Sequence, residues 1–518
     1  MGSFLASQLR RPSNDWAVRL AGFVLVGLTT TFMGFLLARG SKLAYVLLTG
    51  LLLVVAITLV ADHMFTVLLF WVGVEGLAYP WIRYPLHHNL ITFDRFVLPA
   101  LGVALLLVAR PRLARPARNV LYALGAFVLV YGLRALLTDP LPTPPNYSGI
   151  NFADTSPYQN VADWLDNALL PFFAFAVAAY TVTRERWQAL ATALTFLGVT
   201  IAALALLEWV FGFTLAQLSN AIPFVDDVAG VVRVSGPYAD PSAYGGVMVV
   251  CIAVTMYWLQ QRKAYVLGFI ALAIEVVGVV PNFTKTVWAG SLLAIVISAG
   301  LRRRISSRTL LVTAYVAVGV FLVYATVKSN PVVTARVHTS TSGNFLARVG
   351  DYVQAIYIFQ HWPLFGAGIG QFIAAQQFVP SVTIADVVAT PSAHNTFLSV
   401  LAEAGAVGFS ALAALVYTIG KLIRRWRRTA VTEEEVLFGA CVLAACVSYF
   451  VLSLTLVEIY YPPGGTFLAL VLGAMAGRLT ESVRKAERAP RSPQNRRPTE
   501  GRPRPRGRGA AVGISHTR

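Results

Sequence analysis

Apolar residues run along this chain in long blocks separated by short polar breaks. They lack the strict alternation that marks half-buried strands. A membrane-spanning helix needs roughly 20 predominantly apolar residues to cross the hydrocarbon core. Blocks that meet or approach that length lie at about 18–38, 43–61, 64–80, 95–109, 119–137, 168–183, 189–211, 241–259, 264–280, 286–300, 309–327, 395–420, 434–456 and 461–478. The pattern predicts an all-α, polytopic integral membrane protein with about 12–14 transmembrane helices. The first block follows Arg10 and Arg11 but is too long for the apolar core of a signal peptide, so a retained anchor is expected.

Composition agrees with the pattern. Of the 518 residues, 56% are hydrophobic and 13% charged, against about 45–50% and 25% in soluble domains. That balance excludes an ordinary soluble enzyme and a disordered chain. Cys251, Cys441 and Cys446 all sit in apolar runs without CxxC spacing, so neither a disulfide framework nor a structural zinc site is expected.

The net charge of +18 would suggest nucleic acid in a soluble protein. Here its placement matters more. With the N-terminus inside, alternation through the spans puts most of the 42 basic residues on one side. They include Arg110–Arg118, Arg184 and Arg186, Arg302–Arg308 and Lys421–Arg428. Such a bias marks cytoplasmic loops and predicts two cytoplasmic termini. Residues 479–518, rich in Arg, Pro and Gly, are expected to form a disordered cytoplasmic tail on anionic lipid, with no nucleic-acid partner.

Two connections on the opposite, outer side are long, at about 138–167 and 328–394. Connections beyond about 12–15 residues tend to be functional or disordered. Segments 344–361 and 370–378 carry helical periodicity, which predicts amphipathic helices on the outer face, with GAGIG at 366–370 as the turn between them. Lacking a preceding strand, that glycine run is not a dinucleotide loop.

Three outer segments place a cation or imidazole beside a helix start. In VVRVSGPYADPSAYGG, Arg233 precedes Asp240-Pro241, a capping residue followed by Pro at the first turn. In PNFTKTVWAG, Lys285 opens a span, and in TPSAHNTFLSVLAEAG, His394 stands beside Asn395 at the start of another. Each helix would enter from outside and present its positive dipole end there. Together with Arg348 they would form an anion site suited to a phosphate or diphosphate. The alternatives are that the cations snorkel to the interface and that His394 completes a cap. Glu75, Glu208, Glu275, Glu403 and Glu458 fall within or at the ends of spans, as structural partners of Arg134 and similar residues or as an ion pathway.

Four stretches resemble the O-antigen ligase and polymerase superfamily. RVSGPYADPSAYGG is similar to its R-x-x-G-x-[FY]-x-[ND]-P segment, and FTKTVWAG to its S-R-[GA]-x-W segment. RVGDYVQAIYIFQHWPLFGAGIGQF resembles its R…W-x-x-A…P-[LIF]-x-G-x-G-x-x-x-F loop, and AHNTFLSVLAEAGAVG its H-N-x-[FY]-L-x-x-x-x-E-x-G stretch. They span about 230–410. Lys285 stands where that family usually has Arg, which replaces a bidentate grip with a point charge.

The resemblance implies a GT-C-type fold with N-terminal helices at 1–230, a catalytic membrane region at 231–478 including the periplasmic loop 328–394, and the tail. It implies a glycosyltransferase of the bacterial inner membrane working on its periplasmic face. The donor would be a glycan on undecaprenyl diphosphate, and the acceptor a sugar hydroxyl on a glycan or lipid-linked molecule. Arg233, Lys285 and Arg348 would bind the diphosphate, with Arg233 also catalytic, and His394 would take the acceptor proton. Neither a cofactor nor a metal is expected, and inversion in one displacement would follow. The motifs do not separate polymerase from ligase, although the number of spans and the basic tail lean towards polymerase. From another class, a lipid-linked oligosaccharide or ion transporter would hold its ionisable groups at the midplane, not at the outer boundary.

Overall fold

The structure, a computed structural model, describes residues 63–77, 97–102, 105, 113–137, 141–142, 161, 163–212, 227–228, 231–238, 240–260, 265–301, 329, 331–384, 387–388, 393–457 and 462–488. The spans expected at 18–38, 43–61 and 309–327, and the tail from 489 onward, lie outside the described residues. Within them the protein is helical apart from two two-residue β pairs, in keeping with an all-α polytopic membrane protein.

Helices α1 (Met64–Leu77) and α2 (Arg115–Leu137) are followed by a π-helical turn, Leu165–Leu169, that leads into α3 (Leu170–Thr181). Next come α4 (Arg184–Phe211), the antiparallel β1 (Asp227–Val228) and β2 (Val231–Val232), then α5 (Pro241–Gln260) and α6 (Tyr265–Val279). A 3-10 turn, Val280–Asn282, joins α6 to α7 (Lys285–Gly300). Then follow α8 (Pro331–His361), α9 (Phe372–Gln376), the antiparallel β3 (Thr383–Ile384) and β4 (Val387–Val388), and α10 (Thr396–Thr429), α11 (Glu433–Ser453) and α12 (Pro462–Arg488).

Six of these helices are long and apolar enough to cross a membrane: α2, α4, α5, α10, α11 and α12. The apolar stretches Met64–Leu77, Leu165–Thr181, Val266–Asn282 and Lys285–Gly300 are shorter, 10–17 residues each. Proline and left-handed residues cut the α6–α7 pair short: Pro281 falls in the 3-10 turn and Phe283 takes φ 54°. Helix α5 is the central element, with every residue from Pro241 to Tyr257 buried. An apolar helix without a polar face belongs inside a bundle. Around it, α2, α4 and α6 leave Leu129, Leu136, Phe196, Val210, Val266 and Leu267 exposed. Such wide apolar exposure on long helices is expected where the solvent is lipid.

Opposite ends of the bundle differ in chemistry. At one end α4 is capped by Thr183 and α11 by the reciprocal pair Thr432 and Glu435. Trp187, Trp426 and Phe438 stack edge to face there. The Arg478 guanidinium lies 4.4 Å from the Phe438 ring centre and bonds Glu434 at 3.1 Å, and Glu434 also pairs with Arg184. Arg424, Arg425, Arg427 and Arg428 follow at the end of α10. The other end gathers the starts of α5, α7 and α10.

Three boundaries differ from the sequence expectation. Helix α12 continues through 479–488, the beginning of the segment expected to be unstructured, and Lys485 pairs with Glu481 one turn earlier. The amphipathic helix expected at 344–361 begins earlier, at Pro331, whereas that expected at 370–378 covers only Phe372–Gln376.

Candidate functional site

Asn282 ties the start of α5 to the α6–α7 junction. Its side-chain amide is fully buried and donates to the carbonyls of Val234 (3.2 Å) and Pro241 (2.9 Å). Glu208, at the end of α4, accepts from the backbone N–H groups of Ser235 (3.1 Å) and Gly236 (2.7 Å). The loop carrying Arg233 is therefore pinned from two sides. Asp240 caps α5 by accepting from the Ser242 N–H, as the Asp-Pro pair predicts. Burial raises the Asp240 carboxyl, against the pull of that bond and of Arg233.

Arg233 donates through Nε to the Asn282 carbonyl at 3.2 Å and through a terminal nitrogen to Thr284 Oγ1. Thr284 immediately precedes α7, so the guanidinium lies at that helix's positive end. Lys285, the next residue, is exposed. Partial desolvation by the surrounding helix ends and the Arg348 cation nonetheless disfavour its charge.

Asn395, not His394, caps α10. Its Oδ1 accepts from the N–H groups of Phe397 (2.9 Å) and Leu398 (3.1 Å). Its amide donates to the Leu454 carbonyl at 3.0 Å, which Tyr352 of α8 also reaches, at 3.2 Å. Thr396 bonds the Leu456 carbonyl, and Thr455 bonds Thr286 of α7. The end of α11 thus holds the starts of α7 and α10 together under α8. His394 adopts φ 43°, left-handed and uncommon for a non-glycine residue. Its ring faces α8, where Asp351 Oδ2 lies 4.0 Å from Nε2.

Arg348 is the electrostatic centre of the cluster. Burial weakens its hold on its own proton, opposed by Tyr352 and Asp351 and reinforced by Arg233. The same guanidinium acts on Lys285 and on His394. Burial first and Arg348 second push the imidazole from its usual value near 6.5 to about 4. The ring is therefore neutral at pH 7 and able to accept a proton. Arg233, Lys285, Arg348 and His394, singled out from sequence, share one neighbourhood. Cations crowded beside the start of α7, with Arg348 reaching them from the middle of α8, repel one another, and a bound anion would relieve that repulsion.

Asp351 stands three residues from Arg348, a spacing that puts both on one helix face, but nothing in the local sequence marks it as a neighbour of the histidine on another element. Asn282 and Thr284 carry no local sequence signal, because their roles depend on contacts with residues about fifty positions away.

The intramembrane carboxylates are tied to nearby groups. Glu275 accepts from Thr255 (2.9 Å) and Glu403 from the Gly370 N–H (3.3 Å). Arg134, expected to pair with such a carboxylate, donates to the Gly366 carbonyl at 2.8 Å. Glu458 lies outside the described residues. The GAGIG turn puts Gly366, Gly368 and Gly370 at positive φ, and its Ala367 and Gly368 N–H groups bond the Ala402 and Glu403 carbonyls (2.9 and 3.0 Å). Gly405 interrupts α10 at φ 64°, ψ −164°, just where the turn passes.

Compared with known families, residues 247–413 match the family model described as O-antigen ligase. The match supports the O-antigen ligase and polymerase superfamily. It begins inside α5 and ends inside α10, so it contains Lys285, Arg348, His394 and the glycine turn, while Arg233 precedes it. No curated protein matches the sequence.

Proposed function

We propose that this protein is an inverting membrane glycosyltransferase. It moves a glycan from undecaprenyl diphosphate to a sugar hydroxyl on the periplasmic face of a bacterial inner membrane, in polysaccharide polymerisation or ligation. The observation that carries the reading is Arg348 coupled at once to Arg233, Lys285 and the neutral His394, at the helix end opposite the arginine-rich one. Those chemistries suit a displacement in which a diphosphate leaves as a hydroxyl attacks.

In the proposed step Arg233, Lys285 and Arg348 hold the donor's diphosphate, and their charge stabilises it as it departs. His394 takes the acceptor's proton while the oxygen closes on the anomeric carbon from the opposite face. Inversion follows from a single displacement. Catalysis needs no cofactor in this scheme, because the cations meet the charge that develops.

A transporter of lipid-linked oligosaccharide or ions is less well supported. Its coupling groups belong near the midplane, whereas these four side chains adjoin helix starts. Glu208, Glu275 and Glu403 meanwhile make local hydrogen bonds to backbone or threonine.

The test is reconstitution in proteoliposomes with a defined undecaprenyl-diphosphate glycan. A ladder formed without a second acceptor indicates a polymerase, and one transfer that requires an added acceptor indicates a ligase. Lipid flipping without transfer would sink the enzymatic reading.

A further inference from the structure

We propose that Asp351 is a positioning residue for His394, and that its buried carboxylate stabilises the imidazolium formed when His394 takes the acceptor's proton. This rests on His394 being the base. Asp351 is fully buried on α8, and its Oδ2 lies 4.0 Å from His394 Nε2. Backbone geometry delivers the ring to it. Ala393 is buried on one side, the Asn395 cap fixes the other, and His394 itself is held at φ 43°.

The charge balance of the neighbourhood makes the carboxylate matter. Arg348 from α8, Lys285 from α7 and Arg233 from the 231–240 loop already supply three positive charges. Asp240 stands beside Arg233 at the start of α5, and Tyr352 is the other titratable group of α8 coupled to Arg348. A proton on His394 would add a fourth positive charge in a half-buried place. As the acceptor oxygen bonds to the anomeric carbon, the bond from that carbon to the diphosphate oxygen breaks. The diphosphate leaves with the electron pair, and the hydroxyl proton passes to the imidazole. Asp351 opposes the new charge at ion-pair range. The imidazolium then releases its proton to water and the cycle closes.

At 4.0 Å the pair is longer than an N–H···O hydrogen bond. The benefit is thus chiefly electrostatic, and smaller than the roughly 10⁴-fold seen where an aspartate bonds a triad histidine directly. The same carboxylate also acts on Arg348 of the diphosphate clamp, and kinetics separates the two roles.

The experiment compares D351N, D351E, H394A and the D351N/H394A double variant of the full chain in proteoliposomes, with R348Q as the reference for a damaged clamp. D351N is expected to lower kcat by roughly 10- to 100-fold, below the triad figure, with donor KM little changed and the double variant no slower than H394A. D351E, which restores a carboxylate, is expected to recover part of the rate. If donor KM rises as it does in R348Q while kcat holds, or if the D351N and H394A losses multiply, Asp351 does not act through His394. An H394A enzyme of near-normal turnover would remove the base itself, and the proposal with it. An inactive H394A with multiplying losses would leave the base in place and sink only the Asp351 role. Should D351N fail to accumulate, the kcat and KM of D351E against wild type give the same division.

Discussion

Gly405 of α10 and Leu364, just before the glycine turn, meet backbone to backbone: a Cβ on Gly405 would overlap the Leu364 carbonyl. The contact is reciprocal, because a Cβ on Gly366 would overlap the Glu403 backbone. Hydrogen bonds from Ala406 to Pro363 (2.9 Å) and from Val407 to Leu364 (3.2 Å) close the junction. The loop around the glycine turn and the stretch that begins at His394 are therefore one structural unit, and it fixes α8 relative to the His394 end of α10.

Gly405→Ala combines this overlap with a backbone region open essentially to glycine alone, a strain of about 1–3 kcal/mol before any displacement of the turn. A lower melting temperature and lost transfer are expected. Gly420→Ala, on the same helix in open space, is expected to be neutral or to stabilise by up to about 1 kcal/mol. Thermal unfolding of the two purified variants checks the contrast, and equal effects would remove the role given to the junction.

The rate should carry the signature of a base whose protonation is disfavoured by burial and by Arg348. A pKa lowered to about 4 leaves the imidazole neutral across pH 5–8. Activity should be flat there and fall only as pH drops through about 4. Arg348→Gln removes a charge that lowers this value, so the acid limb should move upward, towards 6.5. Initial rates between pH 3.5 and 8 test both. A wild-type limb centred near 6.5 would contradict the enclosed imidazole.

His394→Ala is expected to cost about 10²–10⁴-fold in transfer, with donor binding retained. Arg233→Ala should weaken donor binding as well, because it removes the guanidinium bonded to Asn282 and Thr284. Lys285→Arg should remain active and Lys285→Ala should fail. Equilibrium binding of labelled donor beside single-turnover transfer separates these effects.

Glu434→Gln addresses the opposite end. Glu434 bonds Arg478, which is only 3% exposed, and also pairs with Arg184. Loss of a carboxylate from a buried pair costs up to about 3–5 kcal/mol, less here because Arg184 is half exposed. A lower melting temperature with unchanged donor affinity is expected, and altered affinity at normal stability would argue against a purely structural clamp.

The proposed orientation, with both termini cytoplasmic, is tested at the same two ends. Reporter fusions after residue 365 and after residue 485 should report opposite compartments, the first periplasmic. Finding both on one side would contradict the outward-facing site.

Local sequence was enough to read the helical membrane class, the positions of most described helices, the Asp240 cap and the cluster of Arg233, Lys285, Arg348 and His394 proposed to meet a diphosphate. Those properties depend on local hydropathy, capping chemistry and charge, which each segment carries whatever its neighbours are. It took the folded chain to show that Asn395 rather than His394 caps α10, that Arg134 serves the Gly366 carbonyl, and that Asp351 faces the imidazole. It also carried α12 past the expected start of the tail, where Lys485 pairs with Glu481. Contacts such as Asp351 with His394 join residues from different helices. Their geometry is set by how glycine junctions and buried amides bring those helices together, and hydrophobic periodicity does not encode that arrangement.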